Sequence, residues 1–364
     1  VMPMIFKHFK QVLLPVDVRI HRNALAHLPK LVRRYGLRKV MVVTGPRTYE
    51  IAGRRVEQIL STGCGDCRFS LFIVKTASRG SAKKIEQEMR GDLGDYDAVI
   101  GVGGGKVLDV SKVVAYHSNA LLISIPTNAA HDGIASPLAS FKEKGMPISI
   151  KAASPISILA DLEIIRKSPV RLLRSGYGDL ISNMVEVKDW LLGVEKADED
   201  YDEIVAGIST MPAMLLLKSA EDLDFRNTDY LRLLVRGLIL GGLAISIYGT
   251  SRPVSGSAHK FSHALDYLGY GKGTHGEQVG VGTIIMEYLH QHYYGEGDWE
   301  LLKYSLEKVL APTTGRELGL TRRQVLEALM YAKRIRPSRY TILEDQDPSK
   351  KDFEICLEKT GVCR

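Results

Sequence analysis

The sequence is poor in the residues that staple, anchor or target a chain. Only four cysteines occur in 364 residues, too few for a disulfide framework. Cys64 and Cys67 form a lone C-x-x-C, and the spacing of Cys356 and Cys363 is wrong for the other half of a four-cysteine zinc site. They read as reduced thiols of a cytoplasmic protein. No uninterrupted apolar run reaches membrane-spanning length. The nearest candidate, Leu231 to Tyr248, carries Arg232, Arg236 and several glycines, and reads as a buried helix of a soluble protein. Residues 1–10 lack the apolar core and small-residue cleavage pattern of a secretory signal. No Lys/Arg run exceeds a few residues and no basic stretch is interleaved with aromatics, which argues against a nucleic-acid binder.

What is present is a globular composition, 45% hydrophobic and 25% charged. At roughly 150 residues per domain the length suggests two domains. The net charge of +7 favours anionic partners, without choosing among phosphorylated metabolites, dinucleotides and anionic surfaces.

The first half alternates short apolar runs with helical spacing. Lys39–Thr44, Phe69–Val74, Asp97–Val102 and Leu121–Ile125 read as strands. Residues 22–36, Tyr49–Leu60, Ser81–Arg90 and Val107–His117 read as helices between them. Apolar, non-alternating strands separated by helices predict a parallel sheet covered on both faces. Beyond Ile156–Asp161 only helical stretches follow, so the expected organisation is an α/β domain over 1–160 and a helical domain over 161–364. The last twenty or so residues read as a docked helix or a frayed tail.

Gly101-Val-Gly103-Gly104-Gly105-Lys106-Val107-Leu108-Asp109 joins a strand to a helix. Glycines let a ligand approach the backbone, and a helix N-terminus offers free N–H groups to phosphate. The segment is not G-x-G-x-x-G, because Lys106 stands at the sixth position and no acid follows about twenty residues on. Nor is it a Walker loop, because Val107 replaces the required Ser or Thr. A pyrophosphate-binding loop of another type is expected. The next strand runs into Pro126-Thr127-Asn128-Ala129-Ala130-His131-Asp132-Gly133, at the same carboxyl edge of the sheet. It reads either as a cofactor contact or as an Asn/Asp turn.

Three of the ten histidines cluster in His259-x-x-x-His263 and His275-Gly-Glu277. His259 and His263 share one helix face. Two imidazoles and a carboxylate would hold a divalent metal with coordination left open. The carboxylate is Asp132, Asp179, Asp266 or Glu277, and spacing does not decide.

Taken in order, Gly103-Gly-Gly-Lys-x-x-Asp109, Thr127-Asn-Ala-Ala-His-Asp132, Ser175-Gly-Tyr-Gly-Asp179, His259-x-x-x-His263 and His275-Gly-Glu277 resemble the iron-containing alcohol dehydrogenase, glycerol dehydrogenase and dehydroquinate synthase superfamily. Within it they are most similar to the archaeal-type sn-glycerol-1-phosphate dehydrogenases. The resemblance implies a Rossmann-like NAD(P)-binding domain and an all-α, dehydroquinate synthase-like metal-binding domain. It implies Zn²⁺ on Asp179, His259 and His275, with His263 and Asp132 contacting substrate and Asp132, Asp179 and His263 as the catalytic set. The cofactor NAD(P)H would lie on Gly103, Gly104, Gly105, Lys106, Val107, Leu108 and Asp109, with Thr127, Asn128, Ala129, Ala130 and Ser136. The implied reaction reduces dihydroxyacetone phosphate to sn-glycerol 1-phosphate in a homo-oligomer, with His263 as proton relay. Lys260 or the pair Arg336 and Arg339 would receive the substrate phosphate, and Lys75–Ser78 a 2′-phosphate. Glycerol dehydrogenase and dehydroquinate synthase are the competing readings. The synthases usually carry Glu as the first metal ligand, where this chain has Asp179.

Overall fold

The computed structural model describes residues 14–92, 95–143 and 146–363. Among the described residues eight strands are seen: β1 Asp17–His21, β2 Lys39–Thr44, β3 Arg68–Ile73, β4 Ala98–Gly103, β5 Leu121–Pro126, β6 Leu138–Glu143, β7 Met146–Lys151 and β8 Ser157–Asp161. Six form one parallel sheet in the order β1-β8-β5-β4-β2-β3. The remaining two, β6 and β7, make an antiparallel hairpin. The central strands β4 and β5 are apolar because helices cover both faces. Leu25, Leu28, Val40, Val42, Ile100 and Ile123 pack on one side, and Met41, Val43, Val99, Val110, Val113 and Val114 on the other.

Three features differ from the sequence reading. Strand β1 is a five-residue edge strand, DVRIH, with only one fully buried position, so it carries almost no hydrophobic signal. The hairpin β6–β7 pairs along its whole length but lies outside the main sheet. The helix expected over 22–36 is split into a 3-10 turn, Ala24–His27, and the helix Leu28–Arg34, with Pro29 in the first turn of the second piece.

Every strand among the described residues precedes Leu162; the long helices Val170–Ala197, Glu203–Lys218, Thr228–Tyr248, Ser257–Tyr267 and His275–Tyr294 follow. Their core is continuous with the sheet, since Ile158 and Ala160 of β8 join Tyr177, Leu180, Ile181, Leu234 and Leu238. Thr228–Tyr248 is long and apolar enough to cross a membrane, yet Leu231, Leu234, Val235, Leu238 and Ile245 are buried inside the protein. The chain end is docked: the helix Lys350–Thr360 buries Phe353, Cys356 and Leu357. All four cysteines are free and buried. Burial pushes the Cys67 thiol up to about 11, so it is held as a neutral thiol.

Candidate active site

Strands β4 and β5 end side by side, Gly103 opposite Pro126, so the two loops predicted from sequence leave the same edge of the sheet. Gly104 is extended (φ −81°, ψ 179°) and caps the helix Gly105–His117, which begins two residues earlier than its apolar spacing suggests. No side chain caps this helix, leaving its first N–H groups for an anion. Side chains of the second loop fill the space beside these glycines. A Cβ at Gly104 would lie 2.5 Å from Asn128 Nδ2, and one at Gly105 would overlap the His131 ring.

The second loop is fastened at its other side to the helical half. Ser175 Oγ donates to the Ala130 carbonyl at 3.0 Å and accepts from the Gly276 N–H at 3.2 Å. The backbone N–H of Asp132 donates to Asp179 Oδ2 at 3.1 Å. A single loop therefore touches both the glycine turn and the carboxylate of the histidine cluster.

Among the described residues the three-ligand group is Asp179, His259 and His275, all donor atoms within 4.8 Å of one another. Asp179 Oδ1 lies 3.5 Å from His259 Nε2 and 3.6 Å from His275 Nε2. Zinc–ligand bonds of about 2.0–2.1 Å in a tetrahedral site place neighbouring donors roughly 3.4 Å apart, so the set fits such an ion. Both rings are oriented from behind. His259 Nδ1 is 2.6 Å from Glu186 Oε1, and His275 Nδ1 is 3.3 Å from Ser262 Oγ, which turns both Nε2 atoms toward Asp179. Burial and the neighbouring His259 push His275 down to about 3, keeping it neutral as a ligand must be.

Glu186 was not singled out in the sequence. Its signal is the seven-residue spacing from Asp179, two turns along the helix Val170–Ala197. Glu186→Gln is expected to weaken metal affinity by about 10- to 100-fold, as losing a carboxylate behind a ligating histidine does. Competition against a chromophoric chelator measures this; unchanged affinity would make Glu186 a packing residue only.

Two of the other carboxylate candidates, Glu277 and Asp132, take different places. Glu277 is held by Arg171 through two 2.7 Å hydrogen bonds and by the Thr274 N–H at 2.7 Å, so it caps the helix His275–Tyr294. Asp132 faces the cluster; burial and the Asp179 carboxylate push it up to about 6. His263 stands beside the ligand set, its ring 5.7 Å from that of His275, with Nδ1 buried and without a protein partner. Burial, with Arg336 nearby, holds it well below the usual histidine range.

The family model for iron-containing alcohol dehydrogenase matches residues 19–169. A glycerol-1-phosphate dehydrogenase [NAD(P)+] of Archaeoglobus fulgidus is 54% identical over 97% of this chain and 99% of its own length. The enzyme of the same name from Methanosphaera stadtmanae is 43% identical over 89% of this chain and 90% of its own. The chain belongs to the glycerol-1-phosphate dehydrogenase family. Its fold is shared with the glycerol dehydrogenase of Schizosaccharomyces pombe (TM-score 0.77, 20% identity, 99% of this chain and 95% of that one).

In this member of the family the positions assigned to the cofactor fall into two groups. Gly104, Gly105, Lys106, Asn128 and Ala130 remain accessible, whereas Gly103, Val107, Leu108, Asp109, Thr127, Ala129 and Ser136 are buried. Asp109 is engaged internally, with Lys112 Nζ at 3.1 Å and the Ser140 N–H at 3.2 Å. Lys112 also reaches Ser136 Oγ at 3.4 Å and the Leu138 carbonyl at 2.9 Å. These residues moor the hairpin to the helix behind the glycine turn. Lys260, read as a phosphate anchor, is fully buried and donates to Glu344 Oε1 at 2.6 Å. It is neutralised inside the fold and does not serve as that anchor, because a buried charge must be paired.

Proposed function

We propose that this protein reduces dihydroxyacetone phosphate to sn-glycerol 1-phosphate, with NAD(P)H as hydride donor and zinc on Asp179, His259 and His275. The observation that carries the reading is the shared loop. Residues 127–133 touch the glycine turn through Asn128 and His131 and the ligand set through Asp132. A dinucleotide on the turn and a ketone at the ligand set would therefore meet along one loop.

A nicotinamide cofactor held on the glycine turn would supply the hydride. A divalent ion, when bound, polarises the ketone oxygen and stabilises the alkoxide that develops on it. The chain's own residues do the rest. The first N–H groups of the helix Gly105–His117 hold pyrophosphate. Asp179 and Glu186, through His259, fix the ligand geometry. His263, neutral and with Nδ1 unpartnered, is the relay that passes a proton from solvent to the developing alkoxide, donating from one ring nitrogen and accepting at the other. Asp132, raised toward neutrality, orients the hydroxyl beside it. We further take the enzyme to work as a cytoplasmic homo-oligomer, which light scattering on the purified chain tests.

The test is NAD(P)H oxidation with dihydroxyacetone phosphate, before and after chelation, with dihydroxyacetone beside it. Rapid, chelator-sensitive turnover of the phosphorylated ketone is expected. Equal rates on both ketones, or indifference to chelation, would overturn the reading. Preference for the unphosphorylated ketone would favour a glycerol dehydrogenase.

A further inference from the structure

Among the described residues each fully buried cation has a carboxylate partner. Lys112 pairs with Asp109, Lys260 with Glu344 and Arg252 with Glu199. Arg336 and Arg339 break the pattern. Both are half-buried, and among the described residues neither has a carboxylate oxygen within 4.0 Å. Their partners are neutral. Arg339 Nη1 donates to the Ser255 carbonyl at 2.7 Å and to Ser251 Oγ at 3.2 Å. Arg336 Nη1 donates to Ser255 Oγ at 3.2 Å, and its Nη2 lies 3.5 Å from Ser149 Oγ on β7. Burial and the mutual repulsion of the two guanidiniums push Arg339 down to about 9. Two positive charges thus stand side by side with no carboxylate paired to either; Glu186 and Glu199, engaged by His259 and Arg252, act on them only from beyond ion-pair distance.

The segment that carries the arginines is built to stay in place. Arg336 sits in the left-handed region at φ 47°, a conformation a non-glycine residue keeps only when its surroundings impose it. Arg252 Nη2 donates to the Tyr340 carbonyl at 2.6 Å, and Asp189 Oδ1 accepts from the Ile342 N–H at 2.9 Å. These buried groups fasten the loop, so the guanidiniums are oriented in advance. Their location is the candidate active site. Ser255 precedes the ligand His259 by four residues, and the charge of Arg336 reaches both His263 and His275. The contact with Ser149 spans from the helical half to the hairpin of the α/β half.

We infer that Arg336 and Arg339, with Ser251 and Ser255, bind the phosphate of the substrate and so set the preference for a phosphorylated over an unphosphorylated ketone. The inference rests on the proposed reduction of dihydroxyacetone phosphate. A phosphate dianion matches two adjacent guanidinium forks in charge and in planar donor geometry. In a triose phosphate the phosphoryl group is close to the ketone carbon, which demands an anchor beside the ligand set. The serine hydroxyls, now accepting from the arginines, can rotate to donate to the same oxygens.

The experiment compares metal-loaded wild type with Arg339→Lys and with Arg336→Met/Arg339→Met. Its main readout is the ratio of kcat/KM for dihydroxyacetone phosphate to kcat/KM for dihydroxyacetone. Each lost guanidinium is expected to lower that ratio by about 10- to 100-fold, mainly through KM for the phosphorylated ketone. Arg339→Lys, which keeps the charge and loses the fork, is expected to lower it about tenfold and guards against misfolding of the double variant. Inorganic phosphate is the second probe, measured by calorimetry on wild type and variants. Binding to wild type that is lost in the variants supports the site. A wild-type ratio retained in folded Arg339→Lys and the double variant overturns it. If wild type itself fails to prefer the phosphorylated ketone, the proposed function falls. Phosphate calorimetry still decides the anion site in that case: no binding to wild type, or equal binding to the variants, removes it.

Discussion

Replacing His259 with alanine is expected to abolish stoichiometric metal binding and to lower ketone reduction by about a thousand-fold or more, since polarisation by a bound cation contributes several kcal/mol to such a barrier. The size follows from geometry. His259 Nε2 is one of the three donors gathered around the site, 3.5 Å from Asp179 Oδ1. Without it only Asp179 and His275 remain, one carboxylate and one imidazole, too few for a closed ligand set. Glu186 also loses its 2.6 Å imidazole partner while it stays fully buried, which adds a folding cost. A chelator provides the second measurement. A metal present at about a thousand times its Kd stabilises the native state by about 4 kcal/mol. Chelation should therefore lower the wild-type melting temperature and leave that of His259→Ala unmoved. His263→Ala is the contrast: it should keep its metal and lose rate, because its ring lies beside the ligand set and is not a member of it. Loss of stoichiometric metal in that variant would show that the roles of the two histidines are divided wrongly.

Gly276→Ala is the second large effect, and it acts through packing. The helices Val170–Ala197 and His275–Tyr294 approach each other through glycine. A Cβ at Gly276 would overlap the Ser175 carbonyl, and one at Gly178 would overlap the carbonyl of Gly276. The obstacle is helical backbone in both cases, so no side chain can swing aside to relieve it. Overpacking of this kind costs about 1–3 kcal/mol, with rigid backbone at the upper end. Relief requires the helices to separate, and they carry Asp179 and His275, whose donor atoms are 3.6 Å apart. We expect a melting temperature lower by several degrees and a metal affinity about 10- to 100-fold weaker, as for other losses of ligand support. Gly207→Ala on the helix Glu203–Lys218 is the control. Its added Cβ meets nothing within 4 Å, so it should be neutral or mildly stabilising. A Gly276→Ala variant that binds metal like wild type would show that the helix approach does not set the ligand spacing.

Much of the architecture could be read from the residues alone. Apolar strands such as AVIGVG and LLISIP, with helical spacing between them, identify a buried parallel sheet because only a sheet covered on both faces tolerates such runs. The edge strand DVRIH and the hairpin β6–β7 escaped that logic. The first has a single buried position; the second pairs only with itself. The histidine motifs announced a metal site, yet their spacing left four carboxylates open. The fold brings Asp179 Oδ1 to 3.5 Å and 3.6 Å from the Nε2 atoms of His259 and His275, and it ties Glu277 to a helix cap held by Arg171.

Four cysteines in 364 residues are by themselves too few for a disulfide framework, and the folded chain keeps all four free. The ordered motifs determined its family and the residue types of its chemistry. Tertiary structure alone decided which charges are available. Lys260 stands within the histidine motif and Arg339 far from it in sequence, and from the residues alone either could receive a phosphate. Folding buries Lys260 against Glu344 and leaves Arg339 facing only serine and a carbonyl. The reason is that a charge inside a protein must be neutralised, and the neutralising partner comes from a helix distant in sequence that only the folded chain brings alongside.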